Sequence, residues 1–309
     1  MSDDGHAPHS PPPHWYDRAL RAPSEGGTTD VHGASINYRV WGAEGRPGLV
    51  LIHGSNANLE WWRFVAPFLA RNFRVAALDL SGNGDSSWRT RYTGELFAEE
   101  TMAVCRAAGL GDRPFVVGHS FGGFVALETG YRYGAELGGV VLADFTVNPP
   151  EQHIEWGMRA EREGKTRRAT RVYEDLETAM GRFRFVPEQP VRYPQVLAYI
   201  ARRCLRQVEG GWTWKFDPSL FDHLEMGIDQ HDKFLATKCR SALILGEFSE
   251  DEGAQGADYM AELSDGAIPI IELPDTYHHM TFDDPLAMSA AIQGLVLAWL
   301  QEDQLNRRS

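Results

Sequence analysis

Ser120, two late histidines and a few carboxylates are the residues of this chain whose types and spacing fit nucleophilic chemistry. Ser120 stands within Gly118-His119-Ser120-Phe121-Gly122-Gly123. Phe115 to Val117 before it read as a strand, and Phe124, Val125 and Leu127 after it fall at helical spacing. Glycines two positions away on each side remove bulk that a sharply turned backbone at Ser120 does not tolerate. Gly-x-Ser-x-Gly between strand and helix is a nucleophile elbow, which lifts the hydroxyl above the sheet edge. The next helix points its amino end there and favours developing negative charge. A glycine-rich turn with an incidental serine is the bland alternative, and the flanking strand and helix tell against it.

A serine hydroxyl needs a base to take its proton. His278 and His279 lie between the last strand and the last helix, and on spacing alone either imidazole serves. A third group, a carboxylate, fixes the tautomer of the base and stabilises the imidazolium. Asp144, which ends the strand after the elbow helix, and Glu250 or Asp251, in a later loop, are the candidates that the residues leave open. An oxyanion hole needs two backbone N–H groups. Phe121 directly after the nucleophile supplies one, and Ser55 after His53-Gly54 the other. Asn56, Trp61, Trp62 and His279 neighbour these positions and are candidate pocket residues, with Trp212 and Trp214. Asp79-Leu80-Ser81-Gly82-Asn83-Gly84-Asp85-Ser86 lacks the Lys of a phosphate loop and reads as a structural turn.

The elements that must position these residues alternate. Thr28 to Val31 and Ser35 to Trp41 flank His32-Gly33 as a hairpin. Buried strands follow at Pro47 to Gly54, Phe73 to Leu80, Phe115 to His119 and Gly138 to Asp144, with helices over Leu59 to Ala70, Thr93 to Ala108 and Phe121 to Tyr133. Alternation stops over residues 148–235, a charged, helix-like stretch rich in Trp, Tyr and Phe. It resumes with Ser241 to Gly246, Ile268 to Leu273 and a last helix from Pro285. This predicts an α/β fold, a doubly wound, mostly parallel sheet with an inserted helical cap. The core is expected at residues 15–147 and 236–309, the cap at 148–235, and a disordered tail at 1–14. The tail histidines (His6, His9, His14) read as part of a polar tail rather than a metal site, and Arg167, Arg168 and Arg171 as a solvated face.

A net charge of −13 over 309 residues argues against nucleic acid or an anionic membrane as the main partner. Cys105, Cys204 and Cys239 fit neither a disulfide framework nor a zinc spacing, which points to a reducing compartment. The first residues lack the basic-then-apolar order of a signal peptide, and no apolar run reaches membrane-spanning length. A cytoplasmic location is the expectation.

With these motifs in hand, the chain from about Asp30 to Leu300 resembles the α/β-hydrolase superfamily, in the form with a helical cap. The carriers are His53-Gly54, Asp79-x-x-Gly82-x-Gly84-x-Ser86, Gly118-x-Ser120-x-Gly122-Gly123, and His278 ahead of Asp284-Pro285. The order Ser, acid, His is that of the family. In many members the acid is an Asp three residues after the Gly that closes the seventh strand; here that position is Ser249. Other members place it at the end of strand six, and Asp144 matches that place. The resemblance therefore implies Ser120, His278 and Asp144 as catalytic residues, with Glu250 or Asp251 as alternative acids. Relatives that act on haloalkanes or epoxides carry an Asp nucleophile, so Ser120 implies acyl transfer to water. The expectation is a serine hydrolase acting on a medium-sized apolar carboxylic ester, lactone or thioester, with no cofactor and no metal. Hydrolysis of a carbon–carbon bond in a vinylogous diketone, or a slow-turnover ligand receptor, are the alternatives.

Overall fold

The computed structural model describes residues 12–152, 170–251 and 254–307. Expectations for His6, His9, Arg167 and Arg168 lie outside them. Helix α1 (His14–Arg21) takes in the last residue expected of the tail. Strands β1 (Glu25–Val31) and β2 (Ala34–Trp41) form the expected hairpin. His32 and Gly33 both have positive φ, 51° and 78°, the backbone that a two-residue turn needs to match strand twist.

Then come β3 (Gly48–Ile52), α2 (Ala66–Leu69), β4 (Arg74–Leu78), the short β5 (Tyr92–Thr93) and α3 (Gly94–Ala107). β6 (Phe115–His119), α4 (Phe121–Tyr133) and β7 (Gly139–Ala143) complete the first run. The described part of the insertion holds α5 (Leu176–Met180), α6 (Pro194–Arg203), β8 (Leu205–Val208), β9 (Gly211–Trp214), β10 (Leu224–Glu225) and α7 (Gln230–Ala236). β8 and β9 pair as an antiparallel hairpin, and Trp212-Thr213-Trp214 shows the period-2 pattern of a strand inside a stretch that reads as helical by composition. β11 (Arg240–Gly246), α8 (Ala257–Leu263), β12 (Ile270–Leu273), α9 (Met280–Asp283) and α10 (Pro285–Asn306) close the chain.

Eight strands form one sheet in the order β1-β2-β4-β3-β6-β7-β11-β12. β2 runs antiparallel to its neighbours, and every pair from β4/β3 to β11/β12 is parallel. Alternate side chains go to opposite faces. Val50, Ile52, Val116 and Leu142 pack under α3 and α4, with Phe97, Phe124 and Val125. Leu49, Leu51, Val117 and Val141 pack under α2 and α10, with Leu69, Met288, Ile292 and Trp299. Burial on both faces explains why these strands read as unbroken apolar runs. A third cluster joins α1 to the insertion through Trp15, Trp61, Phe64, Phe183, Val196 and Ile200. The carboxyl ends of the parallel strands share one edge, where ligands bind in open α/β sheets.

Candidate active site

Ser120 sits between β6 and α4 at φ 54°, ψ −121°, outside the regions comfortable for an L residue. Such a backbone costs about 1–3 kcal/mol and persists only when its surroundings hold it. Here the Ser120 N–H donates to the Ala143 carbonyl at 2.9 Å, and the Gly123 N–H donates to the Ser120 carbonyl at 2.7 Å. The glycines are steric necessities. A Cβ on Gly118 would lie 1.9 Å from the Gly122 carbonyl oxygen, and one on Gly122 would lie 2.4 Å from that of Ile52.

The structure brings His278, not His279, to Ser120. His278 Nε2 is 3.0 Å from Ser120 Oγ, and its Nδ1 is 2.5 Å from Asp144 Oδ2. A carboxylate only accepts, so Nδ1 carries the proton and Nε2 is left to accept from the serine hydroxyl. Among the three candidate acids, Asp144 is the one against the imidazole. Asp251 Oδ2 lies 3.9 Å from Nδ1, and Glu250 is exposed. Asp144 also takes a left-handed backbone, φ 48°, and is pinned by its N–H to the Ile244 carbonyl at 2.8 Å. Its Oδ1 accepts from the Gly246 N–H at 3.1 Å, and Oδ2 also accepts from Ser249 Oγ at 2.5 Å.

The loop carrying His278 is clamped on each side of that residue. The Tyr277 N–H donates to Asp283 Oδ2 at 2.8 Å, and the His279 N–H donates to Gln189 Oε1 at 2.7 Å. Gln189 Nε2 closes the circuit on Asp283 Oδ1 at 2.9 Å. His119 Nε2–H donates to the His278 carbonyl at 2.7 Å. Sequence reasoning passed over Gln189 and Asp283, because neither lies in a motif and Gln189 belongs to the insertion. Gln189→Leu is expected to cost about 1–3 kcal/mol in urea unfolding, since it strands one buried N–H and one carboxylate oxygen; an unchanged midpoint would show the clamp to be idle.

His53 shapes the loop that carries Ser55. Its Nδ1–H donates to the Gly54 carbonyl at 2.8 Å, and Nε2 accepts from the Leu80 N–H at 3.1 Å. A Cβ on Gly54 would sit 3.2 Å from Ser120 Cβ, so this loop abuts the nucleophile position. Ser55 and Asn56 are exposed, Asn56 at φ 54°. Phe121 opens α4 and lies edge-on to Phe221 of the insertion, ring centres 5.5 Å apart.

Pocket expectations divide. Trp61 is buried against His279 (5.3 Å) and Phe282 (5.0 Å) and donates Nε1–H to Cys204 Sγ at 3.5 Å. Trp62 faces no pocket: it is 1% exposed and packs in the core beneath α2 and α10. The two are successive residues of a 3₁₀ turn (Leu59–Trp62), which swings neighbouring side chains about 120° apart. Trp212 and Trp214 are engaged within the insertion, the first beneath Arg202 at 4.7 Å, the second beside Tyr173 and Phe183. The Asp79 turn is structural: its carboxylate accepts from the Leu59 and Asp85 N–H groups and from Asn37 Nδ2, within 2.8 Å, and a Cβ on Gly84 would overlap it.

Among the described residues, His119, His278 and His279 are the one group able to offer a metal converging ligands, with nitrogens within 4.8 Å of one another. His119 and His278 already hold hydrogen bonds at those rings. A cavity of about 460 Å³ lined by Phe234, Cys239, Arg240, Pro269 and Trp299 lies at the opposite, amino end of β11 and β12 and contains none of the site residues.

Burial sets the charge state of the supporting imidazoles. It pushes His53 and His119 down to about 4, and His279 well below the usual histidine value. Burial pushes Asp79 the other way, up to about 6. Below pH 6.5, the ordinary histidine value, the unfolded chain binds protons that the folded imidazoles refuse. Each therefore withdraws stability at about 1.4 kcal/mol per pH unit until its folded value is reached. Asp79 opposes this between about 6 and its ordinary 3.8, because its folded form takes the proton first. Burial also raises Glu100 and Asp283, which oppose the fall at lower pH; Tm is therefore expected to fall from pH 6.5 towards 5.5 at constant ionic strength, where the three histidines dominate, and a flat or rising Tm there would contradict the buried neutral rings.

A profile of the alpha/beta hydrolase family matches residues 49–291. The esterase Rv0045c of Mycobacterium tuberculosis is 27% identical over 192 residues, covering 60% of this chain and 62% of that protein. The chain thus spans less than two thirds of that curated relative's length. In structure, the chain is similar to the thioesterase domain from the curacin biosynthetic pathway (TM-score 0.71, 21% identity, 89% of this chain and 99% of that one). It is also similar to E-2-(acetamidomethylene)succinate hydrolase (TM-score 0.73, 19% identity, 88% and 98%). At such identities the structural likeness bears on the fold alone. Among the described residues no helix is long and apolar enough to cross a membrane. The profile covers well over half of the sequence, including the Ser120 elbow and the His278 loop, and on that ground the chain belongs to the alpha/beta hydrolase family.

Proposed function

We propose that the chain is a serine hydrolase that cleaves a medium-sized carboxylic ester, lactone or thioester through an acyl-enzyme. The observation that carries this reading is the continuous line from Ser120 Oγ to His278 Nε2 (3.0 Å) and from Nδ1 to Asp144 Oδ2 (2.5 Å). His278 takes the hydroxyl proton as Oγ attacks the carbonyl carbon. Asp144 holds the imidazolium in place and stabilises its charge. The N–H groups of Phe121 and Ser55 receive the oxyanion, and each is worth about 10²–10³ in turnover. His278 then gives its proton to the leaving group, and the acyl group stays on Ser120. Water, deprotonated by the same imidazole, attacks the acyl carbon, and the acid leaves as Ser120 regains its proton.

Residues 148–235 serve in this reading as a cap. Two contacts support it: Phe221 against Phe121, and Gln189 against the backbone after His278. Apolar rings beside Phe121 suit a substrate with an apolar acyl or alcohol portion. The esterase among the relatives is consistent with such chemistry. The test is a series of p-nitrophenyl esters of increasing acyl length, run beside a vinylogous diketone and a fluorophosphonate probe. Ester turnover with an initial burst, and covalent labelling at Ser120, are expected. Absence of label on the wild-type chain, or cleavage of the diketone alone, would overturn the proposal.

A further inference from the structure

We infer that Ser249 is a positioning residue for Asp144. The inference rests on the proposed function. Ser249 Oγ lies 2.5 Å from Asp144 Oδ2, the same oxygen that receives His278 Nδ1–H at 2.5 Å. A serine hydroxyl beside an ionised carboxylate donates, so Oδ2 is held between two donors while Oδ1 is held by the Gly246 N–H.

Residue 249 is brought there by the sheet. β7 and β11 pair in parallel with Ala143 opposite Ile244, which sets Asp144 beside the end of β11. Three backbone bonds then fix the loop: the Glu247 N–H to the Leu273 carbonyl (3.1 Å), Phe248 to Thr276 (2.8 Å) and Ser249 to Gly246 (3.0 Å). The last residues of β12 and the loop bearing His278 therefore hold the Ser249 loop directly. Asp144 has its own reason to need support, for its backbone is in the left-handed region at φ 48°. Its carboxylate must keep one orientation while the imidazole gains and loses charge twice per turnover. A donor on the far side of Oδ2 prevents it from swinging after the imidazolium.

The test uses the full chain and two variants, with folding checked by Tm. Ser249→Ala is expected to lower kcat about tenfold at nearly constant KM, the loss of one charge-assisted hydrogen bond. Ser249→Thr, which keeps the hydroxyl, is expected to stay within about twofold of wild type. Wild-type kcat in Ser249→Ala, or a Ser249→Thr variant as impaired as Ser249→Ala, would overturn the inference. Fluorophosphonate labelling separates the two claims. Labelled Ser249→Ala with wild-type kcat overturns this inference alone. A wild-type chain that takes no label overturns the proposed function, and this inference with it.

Discussion

Ser120→Ala is expected to lower kcat on an activated ester by about 10⁴- to 10⁶-fold, leaving only what the oxyanion donors and substrate positioning supply. The covalent step is lost with the hydroxyl, so the initial burst disappears together with steady-state turnover. KM changes little, because the substitution removes a reacting group and not a binding surface. Stability separates this from unfolding. Ser120 is held at φ 54° whatever its side chain, and Ala carries the same Cβ, so Tm should match wild type. Ser120→Gly, freed of that Cβ, is expected to be about 1 kcal/mol more stable than Ser120→Ala while equally inactive. A Ser120→Ala protein that keeps a tenth of wild-type kcat, with contaminating wild type excluded by active-site titration, would remove Ser120 from the chemistry.

Asp144→Asn carries the second largest effect, about a 10⁴-fold loss of kcat. The hydrogen-bond pattern around the carboxylate gives the reason. Oδ2 accepts from His278 Nδ1–H and from Ser249 Oγ–H, and Oδ1 accepts from the Gly246 N–H. An amide has one accepting end. Turned with its oxygen towards His278, the introduced amide sets its NH₂ against the Gly246 N–H. Turned the other way, it faces Nδ1 with a donor and forces the proton to Nε2, where no base remains for Ser120. Either orientation loses a buried hydrogen bond, expected to cost about 1–3 kcal/mol in unfolding free energy. The comparison that decides the acid is with the later loop: Glu250→Gln and Asp251→Asn are expected to lie within about threefold of wild type, since an exposed charge and one 3.9 Å from Nδ1 do little. If Asp251→Asn were the crippled variant and Asp144→Asn the mild one, the acid would have to be reassigned.

Much of the architecture was legible because the forces that encode it are local in sequence. Both faces of β3, β6 and β7 are covered, and each strand is buried at every position. The Ser120 turn announces itself because Gly118 and Gly122 stand where any Cβ would collide with backbone. The hairpin at His32-Gly33 and the helix over Phe121 to Tyr133 follow from turn chemistry and spacing. Harder readings turned on equally local detail. Trp61 and Trp62 are the same residue type at adjacent numbers, yet one 3₁₀ turn sends the first to His279 and the second into the core. The Trp212-Thr213-Trp214 strand is too short to outweigh the helical composition around it.

Sequence alone determined the alternation of strands and helices and the unusual backbone at Ser120, since each rests on sterics or periodicity within a few residues, while the family and the histidine before the last helix followed from resemblance to known motifs. It left the partner of that histidine open among three carboxylates. In the tertiary structure Asp144 is the carboxylate against that imidazole, and the parallel register of β7 and β11, with Ala143 opposite Ile244, sets Asp144 beside Ser249. Gln189 reaches the backbone beside His278 across 90 residues of chain by the same kind of long-range packing. Hydrogen bonds at a few ångströms are decided by which strands lie side by side, and no pattern within a single segment records that.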